Sequence, residues 1–245
     1  MKYPTSLALE GRHILISGAA GGIGVETARL LGSMGAKLTL TDVASLDPLV
    51  GELKADGVDA EAFRADLTRS VDLPEERLAD VYGVAALAGI FVTDDWMDDA
   101  DWEETFHRVM DINVLSTLRL LRTCLPIMEN KGEGRVVFVG SLAGRMGGDP
   151  KIVQPHYTAS KSAIHAITYN MARRYGPKGI CVNAIAPGTI ATPANVGNFP
   201  PNHRFAAGRM GTALEVAWPI AFLCSPHVSY MWGSVMDVNG GAYMV

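Results

Sequence analysis

His13-Ile14-Leu15-Ile16-Ser17-Gly18-Ala19-Ala20-Gly21-Gly22-Ile23-Gly24 is the stretch on which the reading of the whole chain turns. Its first five residues make a short, largely apolar run, the pattern of a buried strand. The glycines after it allow a tight turn and close approach of another backbone. A helical pattern follows, with Val25, Ala28, Leu31 and Met34 at helical spacing, and it stops near Gly35. Residues 37–41 read as a second strand that ends at Asp42. Strand, glycine-rich turn, helix, strand and acid, in that order, describe a dinucleotide-binding unit. In such a unit the helix N-terminus can hold a pyrophosphate. Asp42, 18 residues after Gly24, is placed to accept hydrogen bonds from the adenosine ribose hydroxyls.

Working outward, a weaker helix is expected over residues 46–56 and a strand over 60–64, ending at Asp66-Leu67. The Asp66 side chain can meet an adenine edge there; taken alone such a residue is more often a helix cap. Residues 68–82 are polar and interrupted by Pro74, which leaves room for only a small helix. A fourth strand is expected over 84–88, ending at Gly89, and then a long helical region over 101–129 with Asn113 inside it. By itself Asn113 reads as a surface or capping residue. A fifth strand, 135–139, delivers Ser141, and a loop over 142–156 leads to Tyr157. A helix then runs to Tyr175, and a sixth strand over 180–185 is closed by Pro187-Gly188. Residues 189–209 read as irregular, 214–224 as helix and 234–238 as a last strand. Strands alternating with helices at this rhythm predict a mostly parallel sheet covered on both faces. The expected architecture is therefore α/β: one Rossmann-type doubly wound domain over residues 1–245, with seven strands and a variable substrate loop at about 189–210.

Tyr157-Thr158-Ala159-Ser160-Lys161 begins the long helix after the fifth strand. Tyr157 and Lys161 are four apart and so share one helix face. A phenol, with a pKa of about 10, is a poor base near neutrality, and an ammonium one turn away is expected to lower that value. Such a pair can give or take a proton at a substrate oxygen.

Composition narrows the classes. The formal net charge of −5 argues against nucleic acid or an anionic membrane as the main partner. The acidic cluster formed by Asp94, Asp95, Asp98, Asp99, Asp101, Glu103 and Glu104 reads as a solvated loop entering a helix, not as a metal site. Cys124, Cys181 and Cys224 are far apart in apolar segments, without metal or disulfide spacing, so reduced thiols and a cytoplasmic setting are expected. The N-terminus lacks the apolar core of a signal peptide, and the longest apolar run, 84–92, is too short to span a bilayer.

With these segments in place the chain resembles a classical short-chain dehydrogenase/reductase along essentially its whole length. The family's glycine motif is matched by Ser17-Gly18-Ala19-Ala20-Gly21-Gly22-Ile23-Gly24, its tetrad by Asn113, Ser141, Tyr157 and Lys161, and its Pro-Gly motif by Pro187-Gly188 followed by Thr189, Ile190 and Thr192. The family's Asn-Asn-Ala-Gly stretch reads Ala86-Leu87-Ala88-Gly89 here, and Ser141 and Tyr157 are 16 apart, which marks an inserted loop. The resemblance implies that Tyr157 is the acid/base and that Lys161 lowers its pKa and binds the nicotinamide ribose. It implies that Ser141 holds the substrate oxygen and that Asn113 positions a water that relays protons from Lys161. It further implies cofactor contacts at Gly18, Gly21, Gly22, Ile23, Gly24, Asp42, Asp66, Leu67, Ala88, Gly89, Tyr157, Lys161, Pro187, Gly188, Ile190 and Thr192.

The function expected from this is hydride transfer between NAD(H) and a secondary alcohol or ketone, by a homotetramer. NAD is expected over NADP because a 2′-phosphate would meet the Asp42 carboxylate, with no cation evident beside it and Arg64 placed in the next strand. The tetramer is expected from the family and from the apolar and small residues on helices 101–129 and 157–175 and in the C-terminal Gly240-Gly241-Ala242-Tyr243-Met244-Val245. Residues 149–156 are expected to shape the substrate pocket, and residues 194–208, with Phe199, His203, Arg204 and Phe205, to cover it. Two other readings fit the same site. Epimerisation or dehydration through a transient ketone would show a retained cofactor without net redox turnover. A non-catalytic nucleotide sensor would be expected to lack tetrad residues, and all four are present.

Overall fold

A computed structural model describes residues 6–193, 195 and 205–244. Its chain order is β1 (His13–Ser17), α1 (Gly22–Ser33), β2 (Lys37–Asp42), α2 (Asp47–Ala55), β3 (Ala60–Arg64), α3 (Glu75–Leu78) and β4 (Gly83–Ala86). Then come α4 (Trp102–Met110), a π turn (Asp111–Leu115), α5 (Ser116–Lys131), β5 (Gly134–Val139), α6 (Ala143–Met146) and α7 (Pro155–Tyr175). The rest is β6 (Ile180–Pro187), the two-residue strands β7 (Ile190–Ala191) and β8 (Gly211–Thr212), α8 (Ala213–Cys224) and β9 (Val235–Val238).

Seven strands form one sheet in the order β3-β2-β1-β4-β5-β6-β9, with every pairing parallel. A parallel sheet must be covered on both faces, and the strand sequences show how. Ile14 and Ile16 pack with Leu38, Leu40, Ala85 and Val137 into a core shared with Leu31 of α1 and Ile220 of α8. Leu15, Val84, Val136 and Phe138 join a second core with Leu121 and Leu125 of α5 and Ile164 of α7. Successive residues of one strand thus feed opposite cores, as the pleat requires. Each side chain so buried contributes about 1.5–3 kcal/mol.

The order of strands reverses between β1 and β4, and their C-terminal ends open the crevice where such sheets bind ligands.

Several boundaries differ from the sequence reading. The fourth strand stops at Ala86, two residues short of the expected end, although Leu87 N still donates to the Ser17 carbonyl. The loop expected over 142–156 contains α6 and the first two residues of α7, which starts at Pro155. The sixth strand continues to Pro187 through its pairing with β9. The segment expected to be irregular includes β7, paired with β8.

The largest departure lies in the helix expected over 101–129. It is broken by the π turn at Asp111–Leu115, and Asn113, which by itself read as a surface or capping residue and which the resemblance placed in the tetrad, is buried there at 1% exposure. The extra residue of a π turn rotates the following helix and can turn a polar side chain inward.

Candidate active site

The site begins in the β1–α1 turn. Gly18 has φ +69°, and a Cβ there would lie 2.6 Å from the Ala88 backbone N. A Cβ on Gly24 would overlap the Gly18 carbonyl, and one on Gly22 would come 2.9 Å from Cγ2 of Thr192. The turn is therefore held between the end of β4 and residues 192–193. Gly21 caps α1 without a side chain, and no acidic residue stands in the first turn. The free N–H groups of that turn, with the helix dipole, suit an anion.

A groove of about 520 Å³ runs from this turn along the strand ends. Gly18, Gly21, Asp42, Asp66, Leu67, Ala88 and Gly89 all line it, as do Val43 and Ile90. Asp42 Oδ2 accepts from Ala20 N at 3.0 Å and Oδ1 from Ala44 N at 3.0 Å, which fixes the carboxylate at the groove's rim. Asp66 does not cap a helix; its Oδ1 accepts from the Thr68 backbone and hydroxyl in a local turn. Arg64 is nearer to Asp42 than its place in the sequence indicated: the two are register partners, and Arg64 Nε donates to the Val43 carbonyl at 2.7 Å. Ile190 is buried in the core shared with α1 and α8, away from the groove.

A larger depression of about 860 Å³ lies elsewhere, between α1 and α2, where Arg29 is committed to Glu26 and Glu52.

At the inner end of the groove the tetrad residues converge. Lys161, buried on α7, donates from Nζ to the Val139 carbonyl at 3.0 Å. Asn113 Oδ1 accepts from Ile90 N at 2.7 Å, and its Nδ2 donates to Ile90 O at 3.1 Å and Ser160 Oγ at 3.0 Å. Gly89 is pressed against both groups: a Cβ there would sit 3.2 Å from Lys161 Nζ and 3.3 Å from Asn113 Oδ1.

Burial pushes the Tyr157 phenol above its usual pKa, and a hydrogen bond with Ser141 opposes that rise. Lys161, the group expected to lower it, does not offset that rise here. The Lys161 ammonium is turned to a backbone carbonyl, 5.8 Å from the phenol ring centre, and burial brings its own pKa down to about 8.

Beyond Tyr157 lies a second cavity of about 190 Å³. Ser141 and Tyr157 reach into it, and Phe91, Met146, Ile152, Val153 and Phe205 give it apolar walls. Gly188 and Thr189 line it too, so the end of β6 serves this cavity. Asp149, Ile152 and Val153 stand where the inserted loop was expected to shape a pocket, but Gln154 and His156 are buried away from it. Phe199, His203 and Arg204 lie outside the described residues.

Phe91 packs edge-on against Tyr157, with ring centres 4.8 Å apart. The sequence offered no sign of it, because its contact is made across the fold. Among the described residues no group of three or more His, Cys, Asp or Glu could hold a metal ion, and no helix is long and apolar enough to cross a membrane.

Known proteins match this arrangement from end to end. The enoyl-(acyl carrier protein) reductase family model matches residues 18–243. The 3-oxoacyl-[acyl-carrier-protein] reductase of Vibrio cholerae is 33% identical, covering 97% of this chain and 99% of its own. Among solved structures, a 3-oxoacyl-[acyl-carrier protein] reductase with bound NAD from Brucella melitensis superposes with TM-score 0.85 at 30% identity, covering 100% of this chain and 97% of its own. A 2-deoxy-D-gluconate 3-dehydrogenase assignment from Agrobacterium tumefaciens, with bound NADP, superposes with TM-score 0.86 at 28% identity, covering 98% and 99%.

Proposed function

The chain belongs to the classical short-chain dehydrogenase/reductases, and from that premise we propose that it interconverts a secondary alcohol and a ketone with NAD(H), through one catalytic domain spanning residues 1–245. The observation that carries the proposal is the convergence of Ser141, Tyr157, Lys161 and Asn113 where a nucleotide-sized groove meets a small apolar cavity. A bound nicotinamide supplies or accepts the hydride; the protein supplies position and the proton. The glycine turn and the uncapped start of α1 receive the pyrophosphate, and Asp42 receives the adenosine ribose.

In the reducing direction Tyr157 donates its proton to the carbonyl oxygen, which the Ser141 hydroxyl holds. In the oxidising direction Tyr157 takes the hydroxyl proton. Lys161 holds the nicotinamide ribose, its buried ammonium one helix turn from the phenol. Asn113 has both amide hydrogens in use, so the relay water is held by the remaining lone pair of Oδ1 or by the backbone of the π turn.

Phe91, Met146, Ile152, Val153 and Phe205 give room for the carbon chains of a ketone, and Asp149, Thr189 and Asn195 on the same cavity offer polar groups to further substrate hydroxyls. NAD is favoured over NADP because Asp42 and Val43 line the groove while Arg64 does not, its Nε tied to the Val43 carbonyl. A panel of secondary alcohols and ketones, assayed with each nicotinamide cofactor, tests the proposal. Turnover with none of them would refute it.

We place the enzyme in the cytoplasm as a homotetramer. Exposed Trp102, Leu115, Tyr169 and Trp218 give its helices apolar faces to bury against other copies. Light scattering at micromolar concentration is expected to give four times the chain mass; a monomer mass would exclude the assembly.

A further inference from the structure

His165 takes no part in the reading above, yet the turn that carries Ser141 is built around it. It lies on α7 one turn beyond Lys161 and two beyond Tyr157, on the same helix face, and is 5% exposed. Its Nε2 accepts a long hydrogen bond, 3.4 Å, from the Ser141 backbone N–H. A Cβ on Gly140 would overlap the imidazole, and one on Gly144 would stand 2.8 Å from its Cε1. Glycine on both sides of Ser141 is thus what lets the ring fit.

The rest of the turn closes on itself. Gly144 N donates to Ser141 O at 3.0 Å, and Ala143 N donates to Ser141 Oγ at 3.0 Å. The ring is therefore the buried support outside the turn that reaches the Ser141 backbone amide. To accept there, the imidazole must be neutral with its proton on Nδ1. Burial first, then the Arg145 cation, bring its pKa down to about 4; Asp237 opposes the fall more than Lys161 adds to it, and a Gly144 backbone hydrogen bond opposes it least.

We infer that His165 is a positioning residue, whose uncharged imidazole fixes the turn over residues 140–144 and so aims the Ser141 hydroxyl at Tyr157. The inference rests on the roles given to Ser141 and Tyr157 above.

It can be tested without any substrate. Tyr157 ionisation is read by ultraviolet difference titration of each protein against its own Tyr157→Phe counterpart. Ser141→Ala removes a hydrogen bond to the phenolate and should raise the Tyr157 pKa by about one unit, the size of one bond to a charged oxygen. His165→Leu should raise it in the same sense. His165→Gln, which keeps an acceptor near the Nε2 position, should restore most of the parent value. The double variant Ser141→Ala/His165→Leu should titrate like Ser141→Ala alone, because both changes act through one hydroxyl. Should His165→Leu fail to fold, His165→Asn takes its place, since its shorter side chain moves the acceptor away from Ser141 N.

If Ser141→Ala moves Tyr157 and the His165 variants do not, or if the two effects add, the inference about His165 is wrong. If Ser141→Ala itself leaves Tyr157 unmoved, the role given to Ser141 fails, and this inference fails with it.

Discussion

Asp42 shows how much one side chain can decide. Its carboxylate is pinned by the Ala20 and Ala44 N–H groups at the rim of the groove. A 2′-phosphate brought there would carry about −1.5 to −2 charges against it. The expected kcat/KM with NAD(H) is at least tenfold that with NADP(H), a gap of about 1.4 kcal/mol. Asp42→Ala combined with Val43→Arg should narrow or reverse the ratio, and equal efficiency of the parent with both cofactors would show that Asp42 does not read the ribose. Asp42 was legible in the sequence because it follows the glycine turn at a fixed distance along one strand–helix–strand unit. Arg64 was not placed beside it, because register between parallel strands is set by the whole sheet and not by neighbours in sequence. The burial that raises the Tyr157 pKa was hidden for a similar reason. Spacing puts Lys161 one turn away, but only the fold shows its ammonium occupied by the Val139 carbonyl.

At the scale of elements, the β1–α1 turn and the π turn behave differently under inspection. The first is written in local chemistry: glycines where no Cβ fits, between a strand and a helix whose boundaries the apolar periods mark. Gly24→Ala would place a methyl group onto the Gly18 carbonyl, with backbone on both sides and no flexible side chain to yield. The expected outcome is a loss of about 1–3 kcal/mol in stability, as for other overpacked sites, together with weakened NADH binding, read by denaturant melts and by cofactor fluorescence. A variant as stable as the parent that binds NADH equally well would show that the turn has slack. The π turn has no comparable signature. Asp111–Leu115 scans as ordinary helix, and the turn is recognised only when Asn113 is found bonded to both Ile90 and Ser160. His165 was hidden in the same way, since a histidine at helical spacing reads as one more residue of a packed face.

For the molecule as a whole, acid is the revealing condition. His13, His156 and His165 are buried, and burial lowers the pKa of each, His165 to about 4. Unfolded, each titrates near 6.5, so above that pH neither state binds the extra proton and the groups cost nothing. As pH falls from about 6.5 toward 4 the unfolded chain takes up protons that the folded chain refuses, and stability falls. For His165 the gap amounts to at most about 3 kcal/mol. Urea melts from pH 8 to pH 5 should therefore fall less steeply for His165→Gln than for the parent; parallel curves would mean that His165 titrates normally.

The proposed function rests on one arrangement: a sheet whose strand order reverses at β1 and β4, with a groove along the strand ends on one side of Tyr157 and a smaller cavity on the other. The most direct measurement of that claim is cofactor oxidation or reduction, followed by absorbance, over the alcohol and ketone panel for the parent and for Tyr157→Phe. The account predicts turnover by the parent and a loss of about 10²–10⁴-fold in the variant, with NADH affinity little changed, since the phenol hydroxyl supplies the proton and not the grip. A Tyr157→Phe protein that works within a few-fold of the parent would contradict it.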